Sequence, residues 1–142
     1  MMGHDAVRLP LLTFRLGERR YALLIEDVVE VAAMVDLLKI PAEREELLGY
    51  INRRGKVLPL LDLRTVFKQP FQPITSASVF IVVAGGDHHF GLVVDAVEQV
   101  EYVDALQLSD SMISSPYLHG IISHQDEMIS IIALPALLAL AQ

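Results

Sequence analysis

The histidines of this sequence are the side chains best suited to metal binding or acid–base catalysis, and their spacing favours neither. His88 and His89 are adjacent, and His119 and His124 are five positions apart, so on a strand the two members of each pair point to opposite faces. The chain contains no cysteine, which excludes a thiolate metal site, a disulfide and a thiol nucleophile. We therefore expect no metal ion and no cofactor, and histidines that are structural or lie at the surface.

Asp95 is the carboxylate with the most distinctive setting, because it directly follows the apolar run 91–94. A carboxylate at a strand end commonly caps a turn through backbone N–H groups, and a catalytic pair of carboxylates is the alternative. Glu98 and Glu101 are expected on a solvated face. Because the chain has none of the patterns G-x-S-x-G, H-E-x-x-H, G-x-G-x-x-G and G-x-x-x-x-G-K-[ST], we predict that it is not an enzyme.

The segment Gly49-Tyr50-Ile51-Asn52-Arg53-Arg54-Gly55 has chemistry suited to binding another protein. Gly55 can adopt the positive φ of a tight turn, and Asn52 can hydrogen-bond to the backbone of that turn. Arg53 and Arg54 are expected to stand exposed at its tip, where a planar guanidinium on an apolar stem suits a protein interface. The alternative is that the two arginines only keep the turn solvated.

Short strands joined by tight turns are predicted to position these residues. Apolar and β-branched runs flank Gly17, Arg54-Gly55 and Gly85-Gly86, which is the pattern of hairpins. The predicted strands are residues 11–16, 21–25, 28–34, 47–53, 56–61, 77–84, 90–94 and 97–103, and the predicted short helices are 42–48, 62–67 and 134–140. The continuous apolar run 79–84 indicates strands that are covered on both faces.

The chain also contains an internal duplication. Residues 17–31 align with 86–100 at an offset of 69, and residues 49–67 align with 120–138 at an offset of 71. Each half is about 70 residues long, which is near the lower limit for an independent core, and two small barrels packed together bury more surface than either alone. We therefore predict a single domain over 1–142, all-β with short helices, with a first barrel at about 11–67, a linker at about 68–76 and a second barrel at about 77–140.

Composition and charge exclude several classes of protein. With 53% hydrophobic and 20% charged residues among 142, the chain is not expected to be disordered. The first 68 residues carry all 11 Lys and Arg against ten acids, whereas the remaining 74 carry eight acids and neither Lys nor Arg. A nucleic-acid partner needs a basic face, so none is expected. The asymmetry instead suits a contact with another protein, unless it is accidental.

No membrane insertion is expected from the sequence. The longest apolar stretch, 128–141, is shorter than the roughly 20 residues of a spanning helix, and Ser130 and Pro135 interrupt it. The N-terminus lacks the pattern of a signal peptide, because Asp5 precedes a short apolar stretch that Arg15 ends. The expected location is the cytoplasm.

In their order and spacing, these motifs resemble the CheW-like family of chemotaxis coupling proteins. Residues 49–64 resemble the family's run G-x-x-N-x-R-G-x-x-x-P-x-x-D-L, and residues 91–97 resemble its stretch G-x-x-V-D-x-V. Phe14-Arg15-Leu16-Gly17 with Tyr21, the run 28–31 and Ile40-Pro41 add to the similarity. The resemblance extends from Leu11 to about Leu140.

The resemblance implies two SH3-like five-stranded barrels around a hydrophobic junction. It also implies a non-catalytic adaptor that binds the regulatory domain of a chemotaxis histidine kinase and the cytoplasmic tip of a chemoreceptor. Its implied partner-binding residues are Val28, Glu30, Gly49, Asn52, Arg54 and Gly55. Of these, Asn52 and Gly55 are expected to hold the loop, and the others match the family's coupling surface.

Two positions depart from the family pattern, and two other functions stay open. Arg53 stands where an apolar residue is usual, and Ala133-Leu134-Pro135 stands where an Asp commonly follows the last strand. One alternative is a scaffold of a non-flagellar chemosensory-like pathway, for example twitching motility. The other is a small-molecule-binding or hydrolytic β-barrel, which would need a deep polar pocket with convergent titratable groups.

Overall fold

The structure, a computed structural model, describes residues 7–39, 44–110, 113 and 115–142. Within these residues the chain forms short strands and two short helices. The strands are β1 (Arg8–Leu16), β2 (Arg19–Leu24), β3 (Val28–Ala33), β4 (Leu37–Leu38), β5 (Leu47–Arg53), β6 (Lys56–Asp62), β7 (Val79–Gly85), β8 (His88–Val94), β9 (Ala96–Asp104), β10 (Leu108–Ser109), β11 (Leu118–His124) and β12 (Glu127–Ile132). The helices are α1 (Leu63–Val66) and α2 (Leu134–Ala141), and single 3-10 turns cover Ile25–Asp27 and Ala105–Gln107.

The strands form two six-stranded sheets of the same design. The terminal sheet has the order β10-β11-β12-β2-β1-β9, and the central sheet has the order β4-β5-β6-β8-β7-β3. In each sheet one strand has only two residues, which leaves five longer strands. Each sheet also contains one parallel pair, β2 with β12 and β6 with β8. The internal duplication of the sequence is therefore visible as a repeated sheet order.

The two sheets do not follow the predicted barrel boundaries of 11–67 and 77–140, because each sheet contains strands from both halves of the chain. The hairpin β1–β2 pairs with β9 and β12 from the second half of the chain, while the hairpin β7–β8 pairs with β3 and β6 from the first half. Each repeat thus gives its first hairpin to the sheet of the other repeat. Because neither repeat has a complete sheet of its own, the exchange lets two halves of marginal size build their cores together.

Alternation along the strands divides the apolar side chains into three cores. Each sheet encloses one cluster on its inner face. The cluster of the terminal sheet is Leu11, Ala22, Val103, Ile122, Ile129 and Ile131, and that of the central sheet is Ile51, Leu58, Leu60, Phe80, Val82 and Val93. Neighbouring residues such as Tyr21 and Leu61 point the other way, into a larger junction core that the two sheets and both helices share. This confirms the prediction of strands covered on both faces.

Most predicted elements are confirmed, with one error in the first half. The predicted helices at 62–67 and 134–140 correspond to α1 and α2, and Asp62 caps α1 by accepting a hydrogen bond from the Arg64 backbone N–H at 3.1 Å. The predicted helix at 42–48 is wrong at its end, because β5 begins at Leu47 and pairs there with Leu61. Residues 40–43, which include the start of that helix and the Ile40-Pro41 motif, lie outside the described residues. Among the described helices, none is both long and apolar enough to cross a membrane.

Candidate partner-binding surfaces

The hairpin β5–β6 ends in a basic tip, formed by Arg53, Arg54, Gly55 and Lys56. Arg54 and Gly55 both have positive φ, 54° and 82°, as a tight two-residue hairpin turn requires. The Asn52 side-chain oxygen accepts a hydrogen bond from the Gly55 backbone N–H at 3.1 Å. The turn geometry predicted from the sequence is thereby confirmed, and Asn52 holds the turn from within.

Glu30 of β3 holds both arginines of the basic tip. Its carboxylate accepts a hydrogen bond from Arg53 Nε and lies 3.3 Å from Arg54 Nη1. The hydrogen bond from Arg53, with the positive charges of Arg53 and Arg54, holds the pKa of Glu30 below its ordinary value. Glu30 therefore stays ionised and fixes the tip against the edge of the central sheet.

The two arginines of the tip differ in exposure, contrary to the expectation that both stand free. The Arg54 side chain is 79% exposed, whereas that of Arg53 is 26% exposed. The Arg53 guanidinium lies over the ring of Phe80, 5.8 Å from its centroid, which adds a cation–π contact to the ion pair. Arg53 is thus bound to its own fold, whereas Arg54 remains exposed to a partner although it is paired with Glu30.

Val28 and Gly49 lie apart from the basic tip. Val28 is half-buried at the start of β3, pairs with Val83 and packs against the junction core. Gly49 lies within β5, where a Cβ atom would come within 2.4 Å of the Leu38 carbonyl oxygen. The structure therefore brings Glu30, Asn52, Arg54 and Gly55 together. Gly49 lies elsewhere, where its lack of a side chain allows β4 to approach β5.

An apolar groove opens between the terminal sheet and the start of α2, with a volume of about 630 Å³. Its lining includes Leu9, Leu24, Leu108, Ile131, Leu134 and Ala136. Asp27 and His119 are its titratable lining residues among those described. No local pattern in the sequence locates this groove, because its lining comes from five separate segments of the chain.

A charged cluster closes the other end of the terminal sheet. Arg20, 8% exposed, donates to Glu98 at 2.9 Å, to Glu127 at 2.7 Å and to Glu101. Arg15 donates to the second oxygen of Glu98 at 2.8 Å. Burial opposes the charge of Glu98, but the hydrogen bonds from Arg20 and Arg15 outweigh it and hold the pKa of Glu98 below its ordinary value. The predicted solvated position is confirmed for Glu98, which is exposed although paired, and is wrong for Glu101, whose side chain is 10% exposed.

Asp95 caps a turn, as the sequence predicted, but the turn belongs to the opposite end of the chain. Its carboxylate accepts a hydrogen bond from the Gly17 backbone N–H at 2.5 Å and another from Arg64 Nε at 2.8 Å. Asp95 lies between β8 and β9, where the chain passes from the central to the terminal sheet. The side chain thus ties the β1–β2 turn and α1 to this crossing point.

The chain is similar to known proteins over most of its length. The family model of the CheW-like domain matches residues 10–142. The chain belongs to this family. It is 31% identical over 133 residues to a probable chemotaxis protein CheW of Rhizobium etli. The aligned region covers 89% of this chain and 85% of that relative. It is 26% identical over 113 residues to Protein PilI of Pseudomonas aeruginosa, which covers 76% of this chain and 64% of that protein.

A solved structure of the family has the same fold. The crystal structure of the scaffolding protein TtCheW from Thermoanaerobacter tengcongensis matches with a TM-score of 0.81 and 34% sequence identity, over 89% of both chains. The predicted fold class, all-β with two SH3-like barrels, is therefore confirmed. Family membership makes this chain a CheW-like scaffold protein of chemotaxis-type signalling.

Proposed function

We propose that this chain is a non-catalytic adaptor that couples a chemoreceptor to a sensor histidine kinase. The observation that carries the proposal is the family match over residues 10–142, combined with an exposed Arg54 at a tip that Glu30 and Asn52 hold in place. A rigid, charged tip and a separate apolar groove provide two surfaces of different chemistry. An adaptor with two partners needs such a pair of surfaces.

The apolar groove is the surface proposed for the receptor. An amphipathic helix from the receptor's cytoplasmic tip would lay its apolar face against Leu24, Leu108 and Leu134. Burial of apolar area supplies most of the affinity in this mode of recognition. Val28 directly follows Asp27 in sequence and packs against the junction core, so it would hold the adjoining chain in position.

The basic tip is the surface proposed for the kinase. Its exposed Arg54 is suited to a carboxylate on a barrel of the kinase regulatory domain, because a guanidinium binds a carboxylate with two parallel hydrogen bonds. Gly49 and Gly55 would act through backbone shape, by keeping β4, β5 and the turn in position. The proposal places the protein in the cytoplasm, where the kinase regulatory domain and the receptor tip lie. It includes neither insertion in the membrane nor a nucleic-acid partner.

A scaffold role in a non-flagellar chemosensory-like pathway is the second candidate. The similarity to Protein PilI supports it, since that relative is named differently from the chemotaxis proteins. A small-molecule-binding barrel has less support, because the inner faces of both sheets are filled by their own apolar clusters.

Pairwise binding of the wild type and Arg54→Glu tests the adaptor proposal. The probes are the regulatory domain of the kinase and a signalling-tip fragment of a chemoreceptor, both from the same organism, and titration calorimetry gives Kd. We expect the wild type to bind both, and Arg54→Glu to bind the kinase domain at least 10-fold more weakly, because charge reversal replaces attraction by repulsion. Arg19→Glu, at an exposed arginine of another hairpin, is the matched control. Failure of the wild type to bind either probe would contradict the adaptor proposal.

A further inference from the structure

Asp27 places a carboxylate in the wall of the apolar groove. It ends the 3-10 turn Ile25–Asp27, between β2 and β3, and it is half-buried. Leu9 and Leu24 of the terminal sheet line the same groove, as do Ile132 and Leu134 at the start of α2. A charged side chain in such surroundings is unusual, because apolar grooves that bind helices are lined mainly by apolar side chains.

The Asp27 carboxylate has no partner within the part of the chain that the structure describes. It takes no hydrogen bond and forms no ion pair there, and Glu26, the preceding residue, places a like charge near it. Burial, and secondly the charge of Glu26, raises the pKa of Asp27 above its ordinary value. Because Asp27 is only half-buried, its carboxylate is accessible to solvent in the free protein.

A helix that covers the groove removes that water. If the helix presented only apolar side chains near Asp27, it would bury an unpaired carboxylate, which is strongly unfavourable. If it presented an N–H donor there, the carboxylate would gain a charge-assisted hydrogen bond. The same groove therefore accepts one kind of helix and rejects the other, although both fit its shape.

We propose that Asp27 selects the helix bound in the apolar groove by requiring a hydrogen-bond donor on that helix, either a side-chain amide or a cation. The inference rests on the proposed function, which places a receptor helix in this groove. It adds the chemistry that the receptor must carry: an apolar helix face interrupted by one amide, lysine or arginine side chain. Asp27 is thus a specificity residue in the wall of a mainly apolar groove.

The proposal fixes the sign of the pH dependence of binding. A donor stabilises the ionised Asp27, so the pKa of Asp27 falls on binding and the affinity decreases as the pH is lowered through its titration. A wholly apolar helix would instead stabilise the protonated form, and its affinity would increase at low pH. His119 also lines the groove and Glu26 adjoins Asp27, so the diagnostic quantity is the difference between the wild type and Asp27→Asn at each pH.

Titration calorimetry of the full chain with the receptor signalling-tip fragment tests the proposal through Asp27→Leu and Asp27→Asn. We expect Asp27→Leu to bind at least 10-fold more weakly, because the donor loses its acceptor. Asp27→Asn distinguishes an amide donor from a cationic donor. With an amide donor, Kd should change by no more than about threefold, because the Asn carbonyl still accepts. With a cationic donor, Kd should rise about as much as with Asp27→Leu. Glu26→Leu, at the exposed neighbour outside the groove, is the matched control and should leave Kd unchanged.

The outcomes separate this inference from the proposed function. Equal or tighter binding by Asp27→Leu, with an unchanged thermal midpoint, overturns the donor requirement and leaves the adaptor proposal standing. Binding that strengthens at low pH in the wild type but not in Asp27→Asn also overturns it. Failure of the wild type to bind the fragment overturns the adaptor proposal and this inference with it.

Discussion

At the scale of single residues, Arg20 lies at the centre of the charged cluster and has four polar partners. Its guanidinium contacts three carboxylates and also donates to the Thr13 hydroxyl at 3.3 Å. Arg20→Met would keep the apolar stem but remove the buried cation from among these carboxylates, leaving Arg15 in contact with Glu98 and Glu127. We expect a loss of about 3 kcal/mol in the free energy of unfolding, at the low end for a broken buried pair because Glu127 still reaches solvent. Urea unfolding measures this, and Arg19→Met, at an exposed arginine, should stay within about 0.5 kcal/mol of the wild type.

Glu98 of the same cluster makes the free energy of unfolding depend on pH in the acid range. Its folded-state pKa lies below its ordinary value of 4.5, so its ionised form stabilises the fold above that value, and this contribution is lost as the pH falls through the folded-state pKa. We expect Glu98→Gln to be less stable than the wild type near neutral pH, and to lose less further stability on acidification. Urea unfolding at a series of pH values down to about 3 checks this. A Glu98→Gln curve parallel to that of the wild type would contradict it, and Glu45→Gln, at an exposed acid, is the control.

At the scale of elements, the hairpin β1–β2 joins the apolar groove to the charged cluster. The inner face of this hairpin carries Leu9 and Leu24 at the groove and Arg20 at the charged cluster. Between them, alternate residues of the hairpin lie in the core of the terminal sheet. Helix α2 closes the groove from the side with its first turn. A bulky side chain there should block a partner helix without disturbing the charged cluster or the basic tip.

Ala136→Trp is expected to reduce binding of the receptor fragment at least 10-fold, because Ala136 lines the groove. Ala139→Trp places the same side chain at an exposed position of the same helix, outside the groove lining, and should leave Kd unchanged. Neither variant should change binding of the kinase domain, since α2 lies outside the basic tip. Equal effects of the two variants would exclude the groove as the receptor site.

At the scale of the whole molecule, the exchanged hairpins make the two sheets interdependent. The charge asymmetry of the sequence fits this exchange, because Arg15, Arg20 and Arg64 of the first half pair with Glu98 and other acids of the second half. Part of the asymmetry predicted for a partner contact is therefore used inside the fold. We expect a single cooperative unfolding transition, with hydrogen exchange giving the same opening free energy for core amides of β2 and β8. Two separate transitions would contradict the interdependence.

The same long-range pairing marks the limit of what the sequence predicts. The strands, the Asn52–Gly55 turn and the short helix α1 depend on neighbouring residues, so periodicity and turn chemistry locate them. The pairing of β2 with β12 depends on residues more than 100 positions apart, such as Arg20 and Ile129, and no local pattern encodes it. The Arg20 cluster and the apolar groove follow from that pairing, which is why both were missed.

The central claim is that this chain connects a receptor to a kinase, and co-sedimentation tests it most directly. Vesicles that contain a chemoreceptor are centrifuged with the full-length kinase, in the presence and absence of this chain, both partners coming from the same organism. We expect the kinase to pellet with the vesicles only when the chain is present, and Arg54→Glu to leave the chain on the receptor while the kinase stays in the supernatant. Kinase that pellets equally with and without the chain would contradict the account.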